Sequence, residues 1–242
     1  MFKTIGFFIS FITNLIGTLP NLKTARRLLE AGDDGGAYDL GTAVTRQFSQ
    51  KMLNKTGGTF IVSGQENIPA GTCVFIANHQ SDFDIPLIAA YAGKPLGFVA
   101  KKEMKKVPIV RDWMEMIKCT FIDRDSARKS MEAILQAIET VKSGHSMVIY
   151  PEGTRNKGYL ELEFKAGSFK LAAKSHAPIV PAVVEGSYKL FEANHRKIKP
   201  ATVYLSFLEP IETAGLSKAA LDELPERVEK LIRDEVARLS LQ

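Results

Sequence analysis

Short runs of apolar residues alternate with helical patterns through the middle of the chain, from about residue 58 to about residue 210. The runs that predict strands are Cys73–Asn78, Gly97–Ala100, Cys119–Ile122, Met147–Tyr150, Ile179–Val184 and Thr202–Leu208. Between two of them, Arg128–Lys142 places apolar residues on one helical face, with Asp125 or Ser126 as N-cap and Gly144 as the stop. Strands separated by helices predict an α/β fold, a layered sheet flanked by helices.

Both ends of the chain show helical patterns. Residues 1 to about 55 predict helices, with a break at Gly32–Gly36 and a helix near Tyr38–Asn54. At the other end, Pro225–Leu239 carries an apolar stripe, and Pro225 suits the first turn of a helix.

The first segment carries no charge from Thr4 to Leu22 and is dominated by phenylalanine, isoleucine and leucine. A membrane-spanning helix needs about 20 predominantly apolar residues. Polar or small residues spaced three or four apart draw a stripe down one side of this helix: Ser10, Asn14, Gly17 and Asn21. An amphipathic helix of this kind favours the membrane interface or one leaflet. A core helix and a signal peptide are the alternatives, although no usual cleavage site follows.

These patterns divide the chain into two parts. Residues 1–57 are interpreted as an N-terminal helical membrane-associating segment, and residues 58–242 as the α/β domain.

Composition and charge narrow the class of protein. The 242 residues are 45% hydrophobic and 24% charged, which is ordinary for a globular protein with a buried core. The net charge of +5 fits either solubility or attraction to an anionic phospholipid surface. Nucleic acid is disfavoured as a partner because zinc spacing and an aromatic-basic platform are missing from the sequence. Cys73 and Cys119 lie in apolar runs without metal-ligand spacing, so buried free thiols and no metal site are expected.

His79 is the histidine whose position suggests chemistry. It directly follows the run Cys73–Asn78, and α/β sheets present reactive side chains where strands end. The next residues predict a turn into a helix, with Asp84 near the cap and Pro86 in the first turn. A carboxylate so placed fixes the imidazole tautomer and stabilises the imidazolium, as a general base requires. On these grounds alone Asp82 is an alternative partner.

Three cationic side chains follow three different predicted strands: Lys101, Arg124 and Arg155. Each alone would be expected to be a solvated charge. If the strands form one sheet as proposed, the three converge on one face. Arginine binds phosphate through paired hydrogen bonds, so this convergence favours a phosphate-binding site.

Four blocks occur in order over roughly residues 73–186: Asn78–Asp84, Phe121–Arg124, Tyr150–Arg155 and Ile179–Val183. Lesser blocks are Ala100–Met104 and Phe164–Phe169. Together they resemble the glycerophospholipid acyltransferases, specifically the 1-acylglycerol-3-phosphate acyltransferases. The first block matches the His-x4-Asp pattern of that family, which implies that Asp84 rather than Asp82 is the partner of His79. Tyr150 departs from the pattern, where phenylalanine is more usual.

The resemblance implies transfer of an acyl chain from an acyl thioester, acyl-CoA or acyl-carrier protein, to the free hydroxyl of lysophosphatidic acid. No further cofactor is implied. His79 and Asp84 are the expected catalytic residues, acting by direct attack, because the chain has no Gly-x-Ser-x-Gly elbow. Lys101, Arg124 and Arg155 are expected to bind the substrate phosphate. Substrate binding or oxyanion support is expected of Glu152, Gly153, Thr154 and Gly167.

A lipid substrate predicts a membrane-associated enzyme, with its active site on the cytoplasmic side of a bacterial inner membrane. Three other functions remain open at this point. The acceptor can be glycerol 3-phosphate or a lyso-amino-lipid, the protein can bind lipid without catalysis, or it can be a soluble hydrolase. An intact His79–Asp84 pair disfavours the non-catalytic alternative, and the cationic positions favour an acceptor that bears phosphate.

Overall fold

A mixed sheet forms the centre of the protein in the computed structural model, which describes residues 2–158 and 163–242. Within these ranges the strands are β1 (Thr59–Ser63), β2 (Val74–Ala77), β3 (Gly97–Lys101), β4 (Thr120–Ile122), β5 (Met147–Ile149), β6 (Ile179–Glu185) and β7 (Thr202–Phe207). Their order across the sheet is β1-β7-β6-β2-β5-β3-β4. The α/β fold predicted from the alternating pattern is therefore confirmed.

The pairing of the strands determines where chemistry can be assembled. Strands β6, β2, β5, β3 and β4 run parallel to one another, whereas β7 pairs antiparallel with β6. The carboxyl ends of the five parallel strands therefore lie along one edge of the sheet. In open α/β sheets this edge is where ligands bind.

Helices cover both faces of the sheet. In chain order they are α1 (Phe2–Gly17), α2 (Leu19–Glu30), α3 (Asp34–Thr56), α4 (Asp84–Tyr91), α5 (Val110–Met116), α6 (Ala127–Lys142), α7 (Lys170–Ser175) and α8 (Lys218–Ser240). One core contains residues of α1, α3 and α4 against the sheet, and a second contains residues of α6, α7 and α8. Strand β2 is buried along its whole length because it lies between these two cores.

The predicted strands and the predicted α6 are confirmed, and Ser126 is the N-cap that accepts from the Lys129 amide at 3.4 Å. Two features differ from expectation. Strand β1 was not predicted; its residues alternate between exposed and partly buried positions. Pro225 does not begin the last helix. That helix begins at Lys218 after the N-cap Ser217, and its buried stripe continues past the proline.

The N-terminal helix turns its apolar side outward. Phe7 is buried and Phe11 partly buried against the core, and Ser10 and Asn14 lie on this inner side, where Asn14 Nδ2 donates to the Ser10 carbonyl at 2.8 Å. Exposed apolar residues three or four apart form an outer row, Phe2, Ile5, Ile9, Ile12, Ile16 and Leu19, and Phe8 is exposed as well. This outer row is called the apolar ridge below. An amphipathic helix was expected, but part of its polar stripe faces the protein instead of water.

The stretch Phe2–Glu30 is long and apolar enough, by length and composition, to cross a membrane, and 17% of its apolar window is buried. That property is weak evidence by itself, because core helices and signal sequences share it. The division of the chain at residue 57 stays a prediction; α3 packs on α4 and on the sheet across that boundary.

Candidate active site

The ends of the parallel strands bring the predicted residues to one edge of the sheet. His79 follows β2, Lys101 ends β3, Arg124 follows β4 and Glu152 follows β5. Because β2, β5, β3 and β4 are consecutive neighbours in the sheet, these positions form a continuous row. The expectation that the cationic strand ends share one edge is met at the level of the backbone.

His79 and Asp84 form the central pair of this edge. His79 Nδ1 lies 2.8 Å from Asp84 Oδ2, and the side chain of Asp84 is fully buried while that of His79 is 14% exposed. A carboxylate at Nδ1 favours the tautomer with the proton on that nitrogen. In this tautomer Nε2 accepts hydrogen bonds, so it is the ring atom that can take a proton from a substrate.

Asp84 is held by more than the histidine. Its Oδ2 accepts from the Gln80 and Ser81 amides at 2.7 and 2.8 Å, and its Oδ1 accepts from the Ser187 hydroxyl. Asp84 is the first residue of α4, where a helix N-terminus favours a negative charge. These donors stabilise the buried carboxylate. Without such partners, burial of a charge would cost a large amount of free energy.

Glu152 supports His79 from behind. Its Oε1 accepts from the His79 amide at 2.7 Å, and both its oxygens accept from the Asn156 side-chain amide. The Asn156 backbone N–H in turn donates to the His79 carbonyl at 2.7 Å. Burial raises the pKa of Glu152 to about 7, although the hydrogen bonds from His79 and Asn156 oppose the rise. Glu152 therefore fixes the backbone of the histidine, and its expected part in substrate binding or oxyanion support stays a prediction.

Tyr150 lies against the imidazole. Its ring stacks on His79 with the centroids 4.1 Å apart and the planes 22° from parallel. Its hydroxyl is buried and has no hydrogen-bond partner among the described residues. Burial, assisted by the charge of Asp84, raises the pKa of Tyr150 well above its ordinary value, so the phenol stays neutral.

Arg155 reaches the segment His79–Asp84, called the histidine loop below. Its guanidinium donates to the carboxylate of Asp82 and lies 3.6 Å from a carboxylate oxygen of Glu192. Asp82, the alternative partner of His79 at the level of sequence, is therefore joined to the arginine instead.

Arg124 and the turn at Gly153 come together. Arg124 donates to the Gly153 carbonyl, and a Cβ added at Gly153 would lie 2.9 Å from Lys165 Nζ. Gly153 also has a φ of +70°, a conformation that favours glycine. Its own amide donates to the Tyr150 carbonyl at 3.1 Å, so this N–H is already used within the turn. Lys165 thus adds a cation that the sequence interpretation did not assign.

Other predicted positions lie on open surface. Lys101 and Thr154 are exposed, and an added Cβ at Gly167 would meet nothing within 4 Å among the described residues. Gly167 belongs to a short 3-10 turn, Ala166–Phe169, that follows Lys165.

The two cysteines are buried free thiols, as predicted. Burial raises the pKa of Cys119 to about 12 and also raises that of Cys73. Neither has the thiolate character that a nucleophile needs at neutral pH. In the described part of the chain no cluster of histidine, cysteine and carboxylate residues is able to hold a metal.

Three supporting residues were missed at the level of sequence. Ser187 contacts Asp84, Asn156 contacts Glu152, and Glu192 contacts the histidine loop. Ser187 and Glu192 are more than 100 residues from their partners, so local spacing gave no signal for them. Asn156 did have one, because it directly follows the Pro-Glu-Gly-Thr-Arg block.

Comparison with known proteins identifies the family. The model of the acyltransferase family matches residues 59–185. The 1-acyl-sn-glycerol-3-phosphate acyltransferase of Borreliella burgdorferi is 32% identical over 75% of this chain and 72% of its own length. The enzyme of that name from Saccharomyces cerevisiae is 30% identical over 76% of this chain, which spans 61% of the yeast protein.

A crystal structure agrees with the sequence relatives. The 1-acyl-sn-glycerophosphate acyltransferase PlsC of Thermotoga maritima superposes with a TM-score of 0.86 at 27% identity, over 100% of this chain and 96% of that one. The fold and the site define an α/β protein with a His-Asp pair at the carboxyl edge of its sheet. The chain belongs to the acyltransferase family, and its relatives with assigned activities include 1-acyl-sn-glycerol-3-phosphate acyltransferases.

Proposed function

We propose that the protein transfers a fatty acyl chain from an acyl thioester to the free hydroxyl of lysophosphatidic acid, making phosphatidic acid. The observation that carries the proposal is the pair of His79 Nδ1 and Asp84 Oδ2 at 2.8 Å, on the sheet edge that also carries Lys101, Arg124 and Arg155. The substrates named for the relatives support the choice of acceptor.

Direct attack is the mechanism that these residues support. His79 Nε2 takes the proton of the acceptor hydroxyl as the oxygen forms a bond to the thioester carbonyl. Asp84 holds the ring and stabilises the imidazolium. The tetrahedral intermediate then collapses, the carbon–sulfur bond breaks, and the proton returns from Nε2 to the leaving thiolate. A covalent acyl-enzyme on cysteine is disfavoured because burial raises the pKa of Cys73 and of Cys119.

The phosphate of the acceptor is assigned to the cations of the edge. Arg124 and Arg155 supply paired donors, and Lys101 and Lys165 supply point charges. For the oxyanion, the amides of Thr154 and of the Gly167 turn are the better candidates, since the Gly153 amide donates within its own turn.

Docking on a membrane is the second part of the proposal. The apolar ridge of α1 is exposed. The inner side of α1 contacts the histidine loop, where the ring centroids of Phe7 and Phe83 lie 5.6 Å apart. The loop His195–Lys199, whose basic side chains are exposed, lies beside the start of α1, where the amide of the buried Ile198 donates to Thr4 Oγ1 at 3.0 Å. An apolar surface bordered by cations suits a leaflet with anionic headgroups. Because the expected acyl donors are cytoplasmic, we assign the site to the cytoplasmic side.

An assay with purified protein tests the reaction. Lysophosphatidic acid is supplied with acyl-CoA and, in parallel, with acyl-carrier protein, beside glycerol 3-phosphate and a lyso-amino-lipid as alternative acceptors. The proposal expects phosphatidic acid with at least one donor. Product from another acceptor alone, or free fatty acid without acceptor, contradicts it. Removal of residues 1–22 is expected to reduce binding to liposomes, and unchanged binding rejects the role of the ridge.

A further inference from the structure

Two carboxylates of unequal burial surround Arg155. The side chain of Asp82 is 58% exposed, whereas that of Glu192 is 8% exposed. The Arg155 guanidinium, 36% exposed, donates to Asp82 and lies 3.6 Å from Glu192 Oε1. The same arginine is one of the groups assigned above to the substrate phosphate. Its two anionic neighbours therefore bear directly on how a phosphate would bind.

Glu192 also holds the loop that carries the catalytic histidine. Its Oε2 accepts from the Ser81 hydroxyl at 2.7 Å, and its Oε1 accepts from the Asp82 amide at 3.0 Å. Ser81 is fully buried and directly precedes Asp82, so Glu192 fixes the middle of the segment between His79 and Asp84. One buried carboxylate thus links the catalytic loop to the arginine. It lies outside the sequence blocks that pointed to the active site.

Asp82 makes a different contribution. Its backbone is held by Glu192, but its carboxylate is mostly in water, and an exposed ion pair contributes little to stability. A phosphate carries more negative charge than a carboxylate and offers more acceptor oxygens. An arginine that is already aligned by Glu192 can therefore exchange the Asp82 carboxylate for a phosphate at small cost.

We propose that Asp82 and Glu192 act in opposite directions on Arg155: Asp82 competes with the acceptor phosphate for the guanidinium, and Glu192 positions the guanidinium and the histidine loop together. This inference rests on the proposed function in one respect, the assignment of Arg155 to the acceptor phosphate. Asp82 then sets the affinity for phosphate-bearing acceptors, and Glu192 is a positioning residue.

Steady-state kinetics with lysophosphatidic acid separates the two roles. Asp82→Asn is expected to lower the KM for the acceptor about two- to five-fold, the range that corresponds to an exposed ion pair, with no comparable change in kcat. Glu192→Gln keeps the size of the side chain but removes its charge, and it is expected to raise KM about five-fold and to lower kcat. The matched control is Asp234→Asn on α8, which removes another exposed carboxylate paired with a lysine and is expected to leave KM unchanged.

A double variant tests whether Asp82 changes the KM through Arg155. In an Arg155→Ala background, Asp82→Asn is expected to change KM no further. A KM that rises or stays constant in Asp82→Asn, or a decrease that persists without Arg155, overturns the proposal.

Binding of inorganic phosphate, measured by calorimetry, gives a readout besides activity. Asp82→Asn is expected to bind phosphate more tightly than the wild type, and Glu192→Gln more weakly. If the wild type transfers no acyl chain to lysophosphatidic acid, the proposed function fails, yet these phosphate affinities still decide the competition. Equal affinities in the wild type and Asp82→Asn overturn it.

Discussion

The His79–Asp84 pair and the cationic groups of the same sheet edge are built differently. Asp84 is fully buried and accepts from two backbone amides, a serine hydroxyl and His79. The cations are more exposed, and Arg155 donates to Asp82, whose side chain is 58% exposed. In the proposed mechanism the geometry of proton transfer is therefore fixed by folding. The groups assigned to phosphate are held loosely enough to rearrange around a substrate.

Asp84→Asn gives the largest expected effect on this comparison. The amide cannot stabilise an imidazolium and presents a donor where backbone amides already donate, so kcat is expected to fall about 10²- to 10⁴-fold. The measurement is kcat with lysophosphatidic acid, with circular dichroism to verify the fold. A folded variant that retains kcat would show that the buried network is structural only.

Glu152→Gln tests whether burial of the Glu152 carboxylate, which holds the His79 backbone, lowers the stability of the folded protein. Burial raises the pKa of Glu152 to about 7 from its ordinary 4.5. Because the folded-state pKa is the higher one, the stability associated with protonated Glu152 is fully present below about pH 4.5 and is lost as the pH rises through about 7. The neutral glutamine avoids this loss, which amounts to at most about 3 kcal/mol.

Urea unfolding of both proteins at pH 5 and pH 8 measures the effect. The wild type is expected to lose more free energy of unfolding between these two pH values than Glu152→Gln loses. Equal losses in the two proteins would mean that Glu152 titrates in the folded protein as it does in the unfolded chain.

Arg124→Ala tests the exposed cationic groups of the edge and has the smallest expected effect of these three substitutions. Loss of one charge-assisted contact to phosphate is expected to raise the KM for the acceptor about ten-fold, with kcat within about two-fold. Lys142→Ala removes a cation at the far end of α6 and serves as the matched control. A lower kcat at constant KM would instead place Arg124 in the chemical step.

The sequence predicted the buried parts of this architecture better than the exposed ones. Val74–Ala77 was recognisable as a strand because every residue in it is apolar, and His79 was placed by the end of that run. Strand β1, Thr59–Ser63, was missed although Phe60–Val62 are apolar; it lies at the edge of the sheet, where only alternate residues are partly buried. Pro225 was misplaced because proline suits a first helical turn, whereas here the stripe of α8 stabilises the helix around it.

In the site, the contact between residues close in sequence was predicted, and the contacts that the tertiary fold creates were not. The partnership of His79 with Asp84 was expected from local spacing and from the family pattern, and the structure places the two side chains in contact. The support that Glu152 gives to the backbone of His79 was not predicted, since only the tertiary fold brings the His79 amide to its carboxylate. Glu192 joins the loop across more than 100 residues, a contact that no local pattern indicates.

The central claim is that His79 is the base that activates the acceptor hydroxyl. Its most direct test is the rate of phosphatidic acid formation by purified His79→Ala, with lysophosphatidic acid and the acyl donor that the wild type uses. The expected result is a loss of about 10²- to 10⁴-fold in kcat with the fold intact. Near-normal transfer by a correctly folded His79→Ala protein would contradict the mechanism.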